Sequence, residues 1–259
     1  MSTTKEWLLD DAAAQFYETH FVPALFGDWA DRLVKAAAIQ PGERVLDVAC
    51  GTGIVARHAA EATGTADGIT GVDLSPSMLN MAERARPDID WREGNAMHLP
   101  VESESVDVVL SQAALMFIPD PVGAVREMYR VLYPDGRIAV QVWGDSAGYM
   151  RTADVLDEIA GKEIADIFRT PFSLRDAEEA SEIIVEGGFT EFNLDTQKGA
   201  AVFPSLRDFF ATEIDGWVLA GRVDVDALLA AAGDRLAEYV QADGSVHIPI
   251  EGHVFTVAK

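Results

Sequence analysis

Two aspartates stand where short apolar runs give way to small residues, and both could hold a polar ligand. Asp47 lies in the run Val45–Val48, which has the composition of a buried parallel strand, and the turn after it carries Gly51 and Gly53. Glycine has no Cβ, so a ligand can approach the backbone closely at this turn. Asp73 ends a second apolar run, where a carboxylate can accept hydrogen bonds from both hydroxyls of a ribose.

The glycine turn alone does not choose between nucleotide cofactors. Residues 51–56 also satisfy the dinucleotide-binding pattern G-x-G-x-x-G/A, and Asp73 follows at a suitable distance for a ribose contact. A nicotinamide-dependent oxidoreductase is therefore open at this point, and the neighbouring motifs must decide.

Further polar or small residues follow the next apolar runs. Ser75-Pro76 after the second acid predicts the capped start of a helix. Asn95-Ala96 ends a third run, and Ser111-Gln112 ends a fourth that leads into an apolar loop. Helical segments alternate with these runs as far as Trp143, which predicts a doubly wound, mostly parallel sheet.

This ordered set of motifs resembles the class I S-adenosylmethionine-dependent methyltransferases. Within them it is most similar to the small-molecule branch that includes the ubiquinone/menaquinone C-methyltransferases. The strong resemblance covers roughly residues 40–145. It implies a Rossmann-like α/β fold with a seven-stranded sheet whose last strand is antiparallel. It also implies S-adenosylmethionine as the cofactor and S-adenosylhomocysteine as the product.

The resemblance assigns roles to the motif residues. Asp47 would bind the methionine amino group, and Asp73 would hold the ribose hydroxyls. The turn backbone at Ala49, Gly51 and Gly53 would line the methionine. Leu74 and Met78 would pack on adenine, and Asn95 and Ala96 would meet the adenine edge. Ser111, through its carbonyl, and Gln112 would face the methyl group.

Two positions depart from the pattern of the resembled family. Ala49 replaces the first glycine of the turn, so we expect the turn to begin in a conformation that tolerates a Cβ. Asn95 replaces the usual acid, and its amide oxygen can still accept a hydrogen bond from the adenine amino group.

Catalytic residues are harder to predict, because a sulfonium methyl is already electrophilic and the enzyme chiefly positions it. Tyr17 and His20 lie on the N-terminal segment that covers the cofactor in similar enzymes. We predict Tyr17 as a cofactor contact, and His20 and Gln112 as candidate catalytic residues; His247 is a weaker candidate base. No grouping of His, Cys, Asp and Glu has metal-ligand spacing, so we predict no metal.

Residues that interrupt helices and strands, such as proline and glycine, predict the organisation of the chain. Residues 1–40 form an N-terminal helical segment, with helices over 8–17 and 24–38 separated by Pro23. Residues 41–259 form the Rossmann-like domain, with helical insertions at about 145–172 and 205–242 that form a lid. The lid and the N-terminal segment are rich in aromatic residues, which favours a small hydrophobic or aromatic acceptor.

Charge and cysteine usage narrow the partners. The net charge of −23, from 43 acids and 20 bases, disfavours nucleic acid and anionic membranes. With no predicted span or signal peptide, we expect a cytoplasmic monomer or homodimer. Cys50 is the single cysteine and is interpreted as a small packed residue. A non-catalytic relative that binds the nucleoside cofactor is the other open alternative.

Overall fold

A computed structural model describes residues 10–217, 219 and 221–259. Within these residues seven strands form one sheet in the order β3-β2-β1-β4-β5-β7-β6. The pairs among β1 to β5 are parallel, and β7 runs antiparallel to both β5 and β6. The strands are β1 Val45–Val48, β2 Ile69–Asp73, β3 Asp90–Glu93, β4 Val106–Gln112, β5 Leu132–Trp143, β6 Asn193–Phe203 and β7 Val246–Ala258.

Helices lie between the strands and at the N-terminal end. They are α1 Asp11–Phe16, α2 Gly27–Ala36, α3 Ile54–Thr63, α4 Pro76–Ala85, α5 Pro121–Val131, α6 Ala147–Ala160, α7 Lys162–Arg169, α8 Ala177–Glu186, α9 Leu206–Gly216 and α10 Val225–Leu236. None of the helices within the described ranges has both the length and the hydrophobicity that a bilayer crossing requires. The predicted doubly wound, seven-stranded fold is confirmed.

The central strands are apolar because helices cover both of their faces. Val45, Leu46 and Val48 of β1 and Val108 to Leu110 of β4 are fully buried. Burial on both faces removes the alternation that a half-exposed strand would show, so these strands appear in the sequence as continuous apolar runs. The capped start of α4 is also as predicted, since the Ser75 hydroxyl accepts a hydrogen bond from the Met78 amide at 3.4 Å.

Pro23 does not interrupt the N-terminal segment, which corrects the predicted two helices. A π-helix over Tyr17–Phe26 joins α1 to α2, and we call the whole of residues 11–36 the N-terminal helix. The Gly27 amide bonds to the Val22 carbonyl across the wider turn, and proline has no N–H to leave unpaired. Residues 8 and 9 of the predicted first helix lie outside the described residues.

Breaks and irregular pairing shape the second half of the chain. Gly161, with φ +90°, separates α6 from α7. The closing segment is one strand of 13 residues, β7. Residues 133–136 lie within β5, where the pairing with β4 shifts between Val106 and Val108.

Candidate active site

Adjacent parallel strands bring the two aspartates to one edge of the sheet. Asp47 pairs in register with Gly71 of β2, two residues before Asp73. The Asp47 side chain is 1% exposed, and its Oδ2 accepts a hydrogen bond from the Ala56 amide in α3 at 3.0 Å. Burial raises the pKa of the Asp47 carboxyl to about 7, and the charge of Asp73 acts in the same direction. No ion pair to Asp47 occurs within the described residues, so a cationic ligand would relieve the buried charge.

Asp73 is fixed by the backbone on either side of it. Its Oδ2 accepts the Gly51 amide and its Oδ1 accepts the Ser75 amide, both at 2.8 Å. Burial raises its pKa, while these two hydrogen bonds oppose the shift. The Leu74 amide also lowers the pKa, and since a carboxylate has about four acceptor positions, the group can still accept from a ligand hydroxyl.

The turn between β1 and α3 is left-handed at three positions. Gly51 has φ +55° and a Cβ built there would meet nothing within 4 Å, so the backbone borders open space. Gly53 has φ +83°, and a Cβ there would lie 2.3 Å from the ring of Trp91. Ala49 has φ +57°, which corrects the expectation of a turn start that tolerates a Cβ. A non-glycine residue is strained in this region, and such strain gathers at functional sites.

The N-terminal helix covers these strand ends. Burial raises the pKa of the Tyr17 phenol, and the charges of Asp73, Glu18 and Asp47 raise it further, so Tyr17 lies within electrostatic range of both aspartates. An ion pair of 2.9 Å between Glu18 and Arg57 joins the N-terminal helix to α3. The Gln112 Nε2 donates to the Phe26 carbonyl at 3.0 Å and joins the same helix to the end of β4.

The residues predicted to contact adenine are half-buried. Leu74, Met78 and Ala96 are each partly exposed, as residues that form one side of a ligand site would be. The Asn95 Oδ1 accepts the Met97 amide at 2.9 Å, which holds the turn and leaves the oxygen a second lone pair. The sequence-predicted adenine contacts therefore lie on the segments that follow β2 and β3.

Ser111 and Gln112 at the end of β4 have different tasks. The buried Ser111 hydroxyl donates to the Val48 carbonyl at 3.0 Å and fastens β4 to β1. The Gln112 amide nitrogen is engaged with Phe26, while its Oε1 is buried without a partner in the described part of the chain. Ala113, the next residue, has φ +50° and lines an aromatic pocket beside the end of β4.

An aromatic pocket adjoins the covered strand ends. Tyr17 stacks on Phe26 with ring centroids 5.0 Å apart and lies 5.8 Å from Phe21, and both phenylalanines line the pocket. The wall combines the N-terminal helix, the ends of β4 and β5 and the helices α6, α7 and α9. Its described lining is Phe21, Leu25, Phe26, Ala113, Phe117, Trp143, Tyr149, Phe168, Pro171, Phe172, Glu213, Trp217 and Ile250.

Glu213 is the ionisable carboxylate in this lining, and sequence reasoning missed it. It lies on α9 with 1% exposure, accepts the Tyr149 hydroxyl at 2.7 Å on Oε1 and accepts the Trp217 indole N–H at 2.8 Å on Oε2. Burial raises its pKa to about 7, against the effect of these two donors. A signal was available, because Glu213 follows Phe209 by four residues and so shares the apolar face of its helix.

The histidine candidates lie elsewhere. His20 is exposed; its Nδ1 lies 3.1 Å from the Phe16 carbonyl, and its ring stacks on Phe16 with centroids 4.1 Å apart. It is absent from the described pocket lining, so the structure does not bring this predicted catalytic residue to the pocket. His247 is also exposed, near Ser245. Cys50 is buried, and burial raises its thiol pKa well above the ordinary value, in keeping with a packed, inert residue.

Comparisons with known proteins agree with this geometry. Residues 46–140, from β1 to β5, match a family model described as a methyltransferase domain. Demethylmenaquinone methyltransferase of Oceanobacillus iheyensis is 29% identical over 189 residues, 66% of this chain and 79% of that protein. Arsenite methyltransferase of Halobacterium salinarum is 38% identical over 109 residues, 40% of this chain and 28% of that protein.

A solved structure extends the likeness over the whole chain. Haemonchus contortus phosphoethanolamine N-methyltransferase 2, in complex with S-adenosyl-L-methionine, superposes with a TM-score of 0.65 at 21% identity. The alignment covers 100% of this chain and 60% of that one, and at this identity it supports the fold. The domain match, the relatives and the structural likeness together support a class I S-adenosylmethionine-dependent methyltransferase. This resolves the ambiguity of the glycine turn against a nicotinamide cofactor.

The residues present in this methyltransferase fit its cofactor. The methionine ammonium matches the buried Asp47 carboxylate, which has no ion pair among the described residues, and the ribose hydroxyls match the remaining acceptor positions of Asp73. The open space beside Gly51 gives backbone access, and the buried Thr52 hydroxyl has no partner among the residues described. S-adenosylmethionine, when bound, supplies an electrophilic methyl group on a sulfonium sulfur.

Proposed function

We propose that this methyltransferase transfers the methyl group to a small, hydrophobic or aromatic acceptor bound in the aromatic pocket. The observation that carries the proposal is the continuity between pocket and cofactor site. Tyr17 lies within electrostatic range of Asp47 and Asp73 and contacts the rings of Phe21 and Phe26. A flat apolar molecule in the pocket would therefore lie next to the cofactor's methyl group.

The cofactor contacts follow the same proposal. Asp47 binds the methionine ammonium, and Asp73 holds the ribose hydroxyls. The backbone at Ala49, Gly51 and Gly53 borders the methionine, and Tyr17 covers it. Adenine lies against the half-buried Leu74 and Met78, with its edge toward Asn95 and Ala96. The Ser111 carbonyl and Gln112 face the methyl group, and Gln112 acts chiefly by holding the N-terminal helix through its bond to Phe26.

Surface arginines near the pocket do not supply a site for an anionic acceptor. Arg169 pairs with Asp154 at 2.8 Å and Arg222 pairs with Glu163 at 2.6 Å. The other arginines of the helical insertions pair likewise: Arg151 with Glu238, Arg175 with Asp145, and Arg207 with Asp226. Since these guanidinium groups already face carboxylates and none lines the described pocket, an uncharged or cationic acceptor suits the site better.

The chain's own contribution to the reaction is positioning and exclusion of water. In this proposal the described part of the N-terminal segment, residues 10–40, covers the cofactor, and the insertions at about 145–172 and 205–242 act as a lid. Tyr149 of the first insertion packs against Phe168 of the same insertion at 5.8 Å and against Phe209 of the second at 5.4 Å, measured between ring centroids. Holding the nucleophile in line with the sulfonium methyl, in a dry pocket, accounts for much of such an enzyme's rate.

A binding and turnover experiment tests this function. Calorimetry with S-adenosylhomocysteine should show binding that Asp73→Asn weakens by about 10- to 100-fold, the equivalent of about 1.5–3 kcal/mol for hydrogen bonds to a charged group. Asp120→Asn is the matched control, because Asp120 is an exposed aspartate that also accepts a backbone amide, that of Gly123 at 2.8 Å. Methyl uptake by aromatic acceptors over anionic ones supports the acceptor class, and exclusive methylation of anionic metabolites would refute it.

A further inference from the structure

Glu213 is a buried charge for which the fold supplies hydrogen bonds but no counter-ion. Its oxygens accept from Tyr149 and Trp217, which are neutral donors, and it forms no ion pair within the described residues. The rest of the described lining is aromatic or aliphatic. An ionised carboxylate in such surroundings is costly unless a cation joins it.

The same surroundings are suited to a cation. Phe168 and Phe172 lie with their ring centroids 5.8 and 5.1 Å from the Tyr149 ring, and Trp217 of the same lining lies 5.7 Å from Phe117. The faces of aromatic rings carry partial negative charge and attract ammonium groups. Glu213 uses two acceptor positions for Tyr149 and Trp217, which leaves about two for N–H donors of a ligand.

We propose that Glu213 and the surrounding rings bind the amino group of the acceptor, so that the substrate class is an apolar amine. This inference rests on the proposed methyl transfer in the same pocket and names the group that the pocket selects. An alcohol or phenol would satisfy the hydrogen bonds of Glu213 but would leave its charge without a partner. A carboxylate would place a second negative charge beside it.

Glu213 can also release the nucleophile. A protonated primary amine has no free electron pair, so one N–H proton passes to a Glu213 oxygen and leaves a neutral amine. The nitrogen lone pair then forms a bond to the methyl carbon while the carbon–sulfur bond breaks, and that electron pair stays on sulfur. The products are the protonated, N-methylated acceptor amine, S-adenosylhomocysteine and a protonated Glu213. Glu213 then returns its proton to solvent.

Three ligands of similar size test the charge preference. Phenethylamine, phenethyl alcohol and phenylpropanoate differ at the polar end, as cation, neutral group and anion. Their dissociation constants are measured by calorimetry on the full chain saturated with S-adenosylhomocysteine. We expect the amine to bind at least about tenfold more tightly than the alcohol, and the acid to bind most weakly.

Glu213→Gln is the decisive variant, with Glu186→Gln, an exposed glutamate on α8, as its control. The glutamine can keep both contacts, since its oxygen can accept from Trp217 and its NH₂ group can donate to a Tyr149 hydroxyl turned to accept. We expect the preference for amine over alcohol to shrink to within about threefold, with the affinity for S-adenosylhomocysteine unchanged. An unchanged preference in Glu213→Gln, equal binding of amine and alcohol by the wild type, or no binding of the amine would overturn the proposal.

A pH series on the wild type gives a second measurement that does not depend on the variant's folding. Tyr149 is the titratable group that faces Glu213 from α6, and burial raises its pKa well above the ordinary value, so it stays neutral. The preference for the amine should fall as the pH drops from about one unit above to about one unit below the Glu213 pKa of about 7. A preference that does not change over this range argues against Glu213. If the wild type does not bind S-adenosylhomocysteine, the methyltransferase function itself is refuted.

Discussion

Replacing Asp47 by asparagine should stabilise the unliganded protein while weakening cofactor binding. Asp47 is 1% exposed, and burial raises its pKa from 3.8 to about 7. Keeping the carboxylate ionised in the folded state therefore costs at most about 4 kcal/mol. The amide of Asp47→Asn keeps an oxygen for the Ala56 N–H and carries no charge. We therefore expect a gain in the free energy of unfolding of a few kcal/mol at pH 8.

The pH dependence of this gain has a definite sign. Because the pKa of Asp47 is higher in the folded than in the unfolded state, the folded protein binds the extra proton between about pH 4 and pH 7. The stability contribution of Asp47 is therefore present below about pH 4 and is lost as the pH rises to 7. The difference in the free energy of unfolding between Asp47→Asn and the wild type should grow over this pH range and stay constant above it.

Two assays check the prediction. Unfolding in guanidinium chloride is followed at several pH values from 5 to 8, and calorimetry measures the affinity for S-adenosylhomocysteine. We expect binding at pH 8 to weaken by about 10- to 100-fold, the equivalent of about 1.5–3 kcal/mol for a lost charged hydrogen bond. Asp120→Asn controls for the removal of one negative charge from a chain of net charge −23. A stability difference that is equal at pH 5 and pH 8, or an unchanged affinity, would refute the reasoning.

Further predictions concern the turn between β1 and α3. Gly51→Ala should cost about 1–2 kcal/mol for its φ of +55° and should also weaken S-adenosylhomocysteine binding, whereas Gly64→Ala, with φ +79° and equal open space, should cost similar stability and leave binding intact. Gly53→Ala adds a clash of 2.3 Å with Trp91, so denaturant unfolding should show a larger loss than for Gly51→Ala. Ala49→Gly should raise the melting temperature, because it relieves the left-handed φ of +57°; a fall would contradict the strain.

The first half of the fold could be predicted because its signals are local. Each of the strands β1, β2 and β4 is a short apolar run followed by a polar or small residue, and the acids at Asp47 and Asp73 follow from that pattern. Parallel pairing then places these strand ends at one edge of the sheet. The left-handed φ of Ala49 could not be predicted, because its side chain gives no sign that the surrounding turn forces it.

The pocket depended on facts that the sequence does not display. Pro23 normally ends a helix, yet the π-helix carries the chain past it and changes which residues face inward. Tyr17 and Phe21 turn toward the site, whereas His20 lies exposed on the outside. To predict which way His20 faces, one must know the rotation of the side chains around the helix axis, and the π-helix changes that rotation here.

The sequence by itself determined the class of fold, the cofactor turn and the two acids, because strand burial and glycine turns depend on neighbours along the chain. Only the tertiary structure decided which side chains line the aromatic pocket. Glu213 and Tyr149 are 64 residues apart, and their hydrogen bond exists because the fold brings α9 and α6 together. A carboxylate acquires its character from burial, and burial is a property of the assembled fold rather than of the residues beside it.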